Sequence, residues 1–350
     1  MGGIDLLGRL EQDSARLRLQ MQTLARQLGN GQRGQVLGDL TPQLPRALDL
    51  KTELARRDIY GGAIDQAIER SAATQSVLSR LIAIGREFAE DVAMKIDPRD
   101  PVAIGPFAER ARAALVEVGQ LLNTRYAGEY LFGGSDFANP PIPDPEGLPS
   151  GGMATQIATA VATLGGGNAA TVAATTKIVA QTDDTPFSTF LTTTGLTEPR
   201  RSVPTEDGAM VGYGLFANRN ASAPSTGETT GAWARDLMRG LMSLASLTPA
   251  NAASEADLQD FAATIRDGLR SATNALADEA GALGQTEARL KATRDLHETV
   301  QVTLTDQLAD IEEVDLAETL TRLQQTQTAL EASYGAIARL GSLSLVQFLR

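Results

Sequence analysis

The two ends of the chain carry apolar side chains at the alternating three- and four-residue spacing of a coiled-coil seam. At the C-terminal end these residues are Leu316, Leu320, Leu323, Leu330, Tyr334 and Ile337, with Gln327 as the one polar position. At the N-terminal end they are Leu7, Leu10, Leu17, Met21, Leu24 and Leu28, with Ser14 as the one polar position. An apolar stripe this narrow must be covered by another helix. The simplest arrangement pairs the two ends side by side and loops out the residues between them.

Two further helices are predicted in the first part of the chain. Residues 28–31 read LGNG, a strong stop signal for the first helix. A second, long helix is predicted from about Leu50 to Ile96, and the sequence DPRDP at 97–101 ends it because proline cannot continue a helix. Pro106 suits the first residue of a third helix, which Gly128 stops.

Helical spacing resumes at Trp233 and continues to the C-terminal seam. One helix is predicted to close at Thr248-Pro249, and the next to begin near Asp257. The stretch from Gly281 to Phe348 predicts a helix of about 100 Å if it is unbroken.

Composition changes between these helical parts. From Ser135 to about Gly231 the chain is rich in Thr, Gly, Ala and Pro, and the segments Thr176–Ala180 and Met210–Phe216 favour β-strands. The sequence therefore predicts a mainly α fold: a long helical-bundle or coiled-coil rod of paired N- and C-terminal helices with an inserted, smaller, β-containing outer domain. The predicted boundaries are 1–134, 135–231 and 232–350. The same heptad spacing is also compatible with an ordinary monomeric helical bundle, which is the alternative to a rod that assembles.

The composition excludes several classes of function. The chain has no Cys and one His, so Cys-based zinc sites and multi-histidine metal sites are not possible. A net charge of −12 argues against nucleic-acid partners and against an anionic membrane surface. No apolar run approaches the length of a membrane helix, and charged residues between Asp5 and Asp13 argue against a cleavable signal peptide.

The residues that could carry chemistry favour structural interpretations. Residues 165–167, GGG, lack the Lys-Ser/Thr of a phosphate loop, and His297 lacks an organised nucleophile partner. The triplet that begins at Asn220 matches a glycosylation site, a pattern that is common by chance. We therefore predict no catalytic, cofactor-binding or metal residues and no enzyme activity. A cluster of acidic residues before the C-terminal seam does not match the ligand order of a calcium loop and is interpreted as a solvated face. It contains Asp306, Asp310, Glu312, Glu313 and Asp315.

Several segments resemble one family of bacterial proteins. Residues 123–134 read NTRYAGEYLFGG, similar to the "N…G.YLF.G" segment that follows the third rod helix in flagellins and hook-associated protein 3. Residues 315–318, 328–334 and 343–345 read DLAE, TALEASY and LSL, in the order of the family's C-terminal ending. Residues 212–218, GYGLFAN, are similar to a "YG..AN" piece that precedes the last helices in some members.

The resemblance implies a structural, self-assembling axial subunit of the bacterial flagellum. Its partners would be copies of itself, other flagellar axial proteins, the flagellar export apparatus and an export chaperone at the C-terminus, with no cofactor, nucleic acid or membrane partner. Its location would be extracellular, on the flagellum, after export without a cleaved signal. Its assembly interface would use the twelve apolar residues of the two terminal seams.

The sequence departs from the flagellins at its N-terminal side. Flagellins usually begin with an extended Asn/Ser-rich segment, whereas this chain enters its helix almost at once. After the first helix, Leu28, Gly31 and Arg33 match only the beginning of the family's "SG.R…DD.AG" run. The ending is closer to hook-associated protein 3, the hook–filament junction protein, than to the main filament flagellin, which remains the alternative. A soluble helical adaptor or export-chaperone-like module is the alternative from another class.

Overall fold

The computed structural model describes the backbone of residues 2–182 and 184–348 and the side chains of residues 8–36, 38–182 and 184–339. Its helices are α1 (Gly2–Asn30), α2 (Leu44–Lys95), α3 (Pro101–Leu122), α4 (Gly152–Ala162), α5 (Ala169–Gln181), α6 (Thr189–Thr192), α7 (Trp233–Ala245), α8 (Glu255–Glu312) and α9 (Leu316–Phe348). Short 3-10 helices lie at Leu37–Leu40, Leu148–Ser150, Thr194–Leu196 and Pro249–Ala253. The strands are β1 (Arg125–Tyr126), β2 (Glu129–Tyr130), β3 (Ser202–Glu206) and β4 (Ala209–Gly212). The predicted mainly α fold is confirmed.

The chain divides into two compact units. We call residues Met1–Ile59 and Leu296–Arg350 the terminal unit, and residues Tyr60–Asp295 the central unit. The predicted boundaries at 134/135 and 231/232 do not coincide with this division, because the inserted residues lie in the central unit with the helices on either side of them. The three predicted segments stay a prediction.

The terminal unit contains α1 packed along α9, as the paired ends predict. The first residues of α2 and the last residues of α8 belong to the same unit. They enclose a small core of Ala47, Leu50 and Ile311, with Leu304 and Leu308 packed against it. Lys51 Nζ lies 2.6 Å from Glu312 Oε1 and adds an ion pair at the rim.

The central unit has a continuous apolar core built on long helices. α2 and α8 pack together: Gln75 Nε2 donates to the Ala280 carbonyl at 2.6 Å, and Arg294 Nε lies 2.9 Å from Asp65 Oδ1. Gly85 permits close approach, because a Cβ there would lie 2.6 Å from Thr273 Oγ1. α7 lies at the centre, with every residue buried except Arg235. The largest fully buried side chains include Trp233, Phe132, Phe216, Phe261, Ile64, Leu78, Leu81 and Leu115.

The inserted region is more helical than the sequence predicts. The segment Thr176–Ala180, which favours a strand, lies in α5, where the buried residues Val172, Thr176 and Val179 share one face. α4 pairs with α5, so tertiary packing overrides the local strand preference. The second β-prone segment does contribute a strand: β4 pairs antiparallel with β3, with Val203 opposite Val211.

Several predicted helix boundaries differ from the structure: α2 begins at Leu44 rather than near Leu50, and α3 ends at Leu122 rather than at Gly128. α3 begins at Pro101, and Pro106 lies inside it, where a missing N–H leaves only the carbonyl of the highly exposed residue Val102 without its helical donor. The C-terminal helix is broken, because α8 ends at Glu312 and α9 begins at Leu316. Asp315 caps α9 by accepting from the backbone N–H groups of Ala317 and Glu318 at 2.8 and 3.0 Å. Among the residues that the structure describes, no helix combines the length and apolarity needed to cross a membrane.

Candidate assembly interface

The covered faces of α1 and α9 form an antiparallel seam within the terminal unit. The end of α1 lies beside the start of α9, where Gln32 bridges to Glu313, and Ser14 meets Ser333 further along both helices. Heptad steps forward from Ser14 and backward from Ser333 define the facing layers. These layers are Leu10–Ile337, Ser14–Ser333, Leu17–Leu330, Met21–Thr326, Leu24–Leu323 and Leu28–Thr319. Every residue in them is buried or half-buried.

A hydroxyl pair lies inside this seam. Ser14 is 4 % exposed, and its Oγ lies 2.7 Å from Ser333 Oγ. Ser14 Oγ also donates to the Leu10 carbonyl at 2.8 Å, so Ser333 is the donor in the bond between the two hydroxyls. Beside this layer, Arg18 donates to the Tyr334 hydroxyl, and its guanidinium carbon lies 5.1 Å from the centre of the Tyr334 ring.

The predicted interface residues of α1 lie on its covered side. Leu24 is buried, and Leu10, Leu17, Met21 and Leu28 are half-buried. The side chain of Leu7 lies outside the described residues.

The predicted interface residues of α9 divide between the covered seam and the more exposed edge beside it. Leu330 is buried, and Leu323 and Ile337 are half-buried. Leu316, Leu320 and Tyr334 are 52 %, 44 % and 38 % exposed. These three form what we call the outer stripe of α9, which lies beside the covered seam, and Tyr334 contacts Arg18 of α1 from this edge.

The covered side of α9 contains residues that a search for apolar spacing misses. Thr319 and Thr326 are each 6 % exposed, and Ser333 is half-buried. Gln327, which the sequence suggests as the polar seam position, is exposed. The sequence does contain a signal for this side of α9. If Ser and Thr are counted together with apolar residues, an unbroken four–three spacing runs through positions 319, 323, 326, 330, 333 and 337.

Backbone hydrogen bonds join the two helix breaks of the terminal unit. Arg33 N–H donates to the Glu312 carbonyl at 2.8 Å, and Val314 N–H donates to the Gly31 carbonyl at 2.9 Å. Arg33 Nε adds a bond to the Glu313 carbonyl at 2.8 Å. The link that leaves α1 is therefore tied directly to the link that enters α9.

The residues with possible chemistry have structural partners. His297 is buried, and Arg57 Nη1 lies 3.0 Å from its Nδ1, which must be the acceptor because a guanidinium only donates. Gly167 N–H donates to Asp257 Oδ2 at 2.9 Å. The Asn220 amide donates to Ala223 and Ser225 and accepts from Trp233 N–H. In the described part of the chain, no group of three or more His, Asp or Glu side chains could hold a metal ion.

Two of the segments that carry the family resemblance meet in the central unit. β1 and β2 form a tight hairpin over residues 125–130, turned through Ala127 and Gly128 at φ 49° and 85°. Directly after it, the Phe132 carbonyl accepts from Ala217 N–H at 3.1 Å, and Gly133 bridges to Phe216. The Phe132 ring packs edge-on against Trp233, with centroids 6.4 Å apart.

Two arginines share one carboxylate beside the hairpin. Arg70 Nη1 lies 3.2 Å from Glu129 Oε2, and Arg201 Nη1 donates to the same oxygen. Arg70 also donates to the Tyr130 carbonyl, and Arg201 Nε donates to the Tyr213 hydroxyl at 2.9 Å. Burial lowers the pKa of Arg70. Since Arg201 lies in the inserted region, these bonds fix that region against α2 and the hairpin.

Buried carboxylates hold further loops of the insert. Asp236 accepts from Thr230 N–H at 2.6 Å and from the Thr229 hydroxyl. Glu279 Oε1 accepts from the backbone N–H groups of Ala221 and Ser222 at 2.7 and 2.8 Å. Burial raises the pKa of Asp236. These contacts are structural, because Asp236 and Glu279 Oε1 accept from backbone N–H groups and a hydroxyl of the same unit.

Comparison with known proteins identifies the C-terminal part of the chain. Residues 267–349, which include most of α8 and the whole of α9, match the model of the bacterial flagellin C-terminal helical region. No curated protein matches the chain. The match includes the covered side of α9 and its outer stripe. Residues 267–349 are therefore similar to the C-terminal helical region of bacterial flagellins, and this likeness supports an axial structural role rather than an enzymatic one.

Proposed function

We propose that this chain is the hook-associated protein 3-like subunit of the hook–filament junction. The observation that carries the proposal is the C-terminal ending, residues 332–345, which is more similar to the junction protein than to the main filament flagellin. The flagellin C-terminal match, which includes the same residues, supports the broader axial role.

The outer stripe of α9 supports assembly with other subunits. Leu316, Leu320 and Tyr334 keep between 38 % and 52 % of their surface exposed in the single chain. On α1, Leu19 is another exposed apolar side chain. Covering such surface contributes roughly 25 cal/mol per Å². We therefore assign the covered layers to pairing within a subunit and the outer stripe to contacts between subunits.

The proposed partners follow from the same surface. Copies of this chain and other flagellar axial proteins would cover the outer stripe after assembly. Before assembly, an export chaperone that binds the C-terminal helix would cover it, and the flagellar export apparatus would deliver the chain unfolded to the outside of the cell. The residues 135–231 would form the outward-facing part of the subunit.

Immunogold labelling of intact flagella with an antibody against this chain tests the proposal. A junction subunit gives label only where the hook meets the filament. Label along the whole filament would identify a filament flagellin instead. Label confined to the cell body, with none on flagella, would contradict an axial role and favour the soluble adaptor class. Deletion of the gene supplies the control for antibody specificity.

A further inference from the structure

The Ser14–Ser333 layer differs from the other layers of the terminal seam. In the adjoining layers Leu17 faces Leu330 and Leu10 faces Ile337, whereas the two serines join their hydroxyls at 2.7 Å. The threonines of α9 have no such partner, because Thr326 faces Met21 and Thr319 faces Leu28. Ser14–Ser333 is therefore the one hydroxyl-to-hydroxyl layer among residues 10–28 and 319–337.

A heptad seam is ambiguous by a slip of seven residues, because leucines recur at that interval. After such a slip Leu17 would face Leu323 or Ile337, and the apolar contacts would largely be regained. The serines would not regain each other. Ser333 would face Met21 in one slipped register and position 7 in the other, and both are apolar. Ser14 would face position 340, a leucine, in the first of these registers and Thr326 in the second. The native register alone gives both serines a hydroxyl partner.

We propose that Ser14 and Ser333 determine the register in which α1 pairs with α9. A buried polar pair in a coiled coil selects one alignment at some expense of stability. Ser14 illustrates the small stability contribution, because its hydroxyl already bonds to the Leu10 carbonyl of its own helix. The pair therefore acts on the choice between registers and adds little to the strength of pairing.

The backbone bonds between Gly31–Arg33 and Glu312–Val314 are a second register device at the end of the seam. They lie about 25 Å from the serine layer, at 1.5 Å per helical residue. A slip of one heptad would move α1 by about 10.5 Å along α9 and displace Leu19 relative to the outer stripe. The inference concerns pairing within one chain and holds for a junction subunit or a filament flagellin.

The chain has no cysteine, so pairs of introduced cysteines can report the register without interference. Leu17→Cys is combined with Leu330→Cys for the native register, and with Leu323→Cys or Ile337→Cys for the two slipped registers. Thiol–disulfide exchange in a glutathione buffer measures the effective concentration of each pair in the full-length chain. We expect the native pair to exceed both slipped pairs in the parent chain.

The decisive variant is Ser14→Leu combined with Ser333→Leu. We expect it to lower the ratio of native to slipped cross-link about three- to tenfold, while hydrogen exchange of the α1 and α9 amides becomes slower. A merely structural role for the serines would move the two measurements in the same direction. The conservative variant Ser14→Thr with Ser333→Thr keeps the hydroxyls and should retain the parent ratio.

Thr326→Leu is the matched control, because it removes a buried hydroxyl of the same seam that faces Met21. We expect its native-to-slipped ratio to equal or exceed that of the parent. The proposal is overturned by an unchanged ratio in the double leucine variant, or by a parent chain that shows no preference for the native pair.

Discussion

The central unit and the terminal pair of helices bury very different side chains. In α7 of the central unit every residue except Arg235 is buried, and Trp233, Leu237 and Leu241 are almost inaccessible. In the described side chains of α1, residues 8–30, only Ser14 and Leu24 reach the same class of burial. α7 is surrounded by neighbours, whereas α1 is covered along one stripe.

The two regions obtain their stability from different sources. Helices in proteins are stabilised mainly by tertiary packing of their apolar faces, and each Å² of buried apolar surface contributes roughly 25 cal/mol. We therefore expect the central unit to be stabilised mainly by its own core. The α1–α9 pair has one stripe of cover, partly made of hydroxyls, so we expect neighbouring subunits to complete it.

The largest expected effect comes from charges placed in the covered seam. Leu17→Asp with Leu24→Asp would bury two carboxylates opposite Leu330 and Leu323, with no basic partner in those layers. We expect α1 to separate from α9 and self-assembly to be abolished, while the central unit unfolds at an unchanged denaturant midpoint. Hydrogen exchange of residues 8–30 and 316–339, together with sedimentation, measures the two outcomes.

Charges on the outer stripe should separate pairing from assembly. Leu316→Asp with Leu320→Asp is expected to leave the amide protection of α1 unchanged and to prevent only self-association. Thr321→Asp with Gln325→Asp, at exposed positions on another side of α9, is the control for added charge. Normal assembly by the Leu17 and Leu24 variant would show that the covered seam is not needed.

The next largest effect tests the core of the central unit. Trp233 is 1 % exposed and contacts Phe132, so Trp233→Ala should destabilise this unit by about 3–5 kcal/mol through lost burial and a cavity. Urea unfolding followed by far-UV circular dichroism measures the change. Leu19→Ala, at an exposed position of α1, should change the free energy of unfolding by less than about 0.5 kcal/mol. If Trp233→Ala and Leu19→Ala destabilised the protein equally, the proposed difference in packing between the central unit and α1 would be contradicted.

A smaller effect is expected in the pH dependence of the stability of the central unit. Burial raises the pKa of Asp236 in the folded chain above its ordinary value of 3.8. Between these two pKa values the folded state binds more proton than the unfolded state, so this group's contribution to stability falls as pH rises and stays lower above that window. Asp236→Asn removes that contribution and keeps an oxygen for Thr230 N–H.

We expect the Asn variant to be at least as stable as the parent at neutral pH and to lose its advantage as pH falls to 3.8. Chemical unfolding across that range, compared between the two chains, isolates the one carboxyl. Glu206→Gln, at an exposed position of β3, controls for loss of negative charge. A variant that is less stable at neutral pH and equally stable in acid would contradict the sign.

The sequence predicts the helices that carry regular leucine spacing and misses the contacts that hydroxyls make. The covered side of α1 follows from Leu10, Leu17 and Leu24, because these residues are both periodic and apolar. On α9 a search for apolar spacing selects the exposed Leu316 and Leu320 and passes over Thr319 and Thr326, although the threonines face α1. A hydroxyl can be buried when it bonds to its own helix, as the Thr326 hydroxyl does to the Arg322 carbonyl. A search for apolar spacing does not take such hydroxyls into account.

The inserted region is harder to predict from the sequence for a different reason. α4 and α5 consist largely of Ala and Thr, so their helical pattern is weak, and the residues Thr176–Ala180 favour a strand locally. Their burial against α7 decides the outcome. The charge cluster of Arg70, Glu129 and Arg201 joins residues distant in sequence, and no local spacing predicts such a contact.

The backbone bridge between the two helix breaks has a consequence for sequence variation. Its bonds use N–H and C=O groups, which every residue except proline supplies identically. The side chains of Gln32 and Glu313 can therefore change without loss of these bonds, whereas proline at 33 or 314 would remove a donor. Gly31, at φ 72°, is the position where a side chain would strain the turn. The contact between the two helix breaks therefore depends mainly on backbone groups, which substitutions other than proline leave in place.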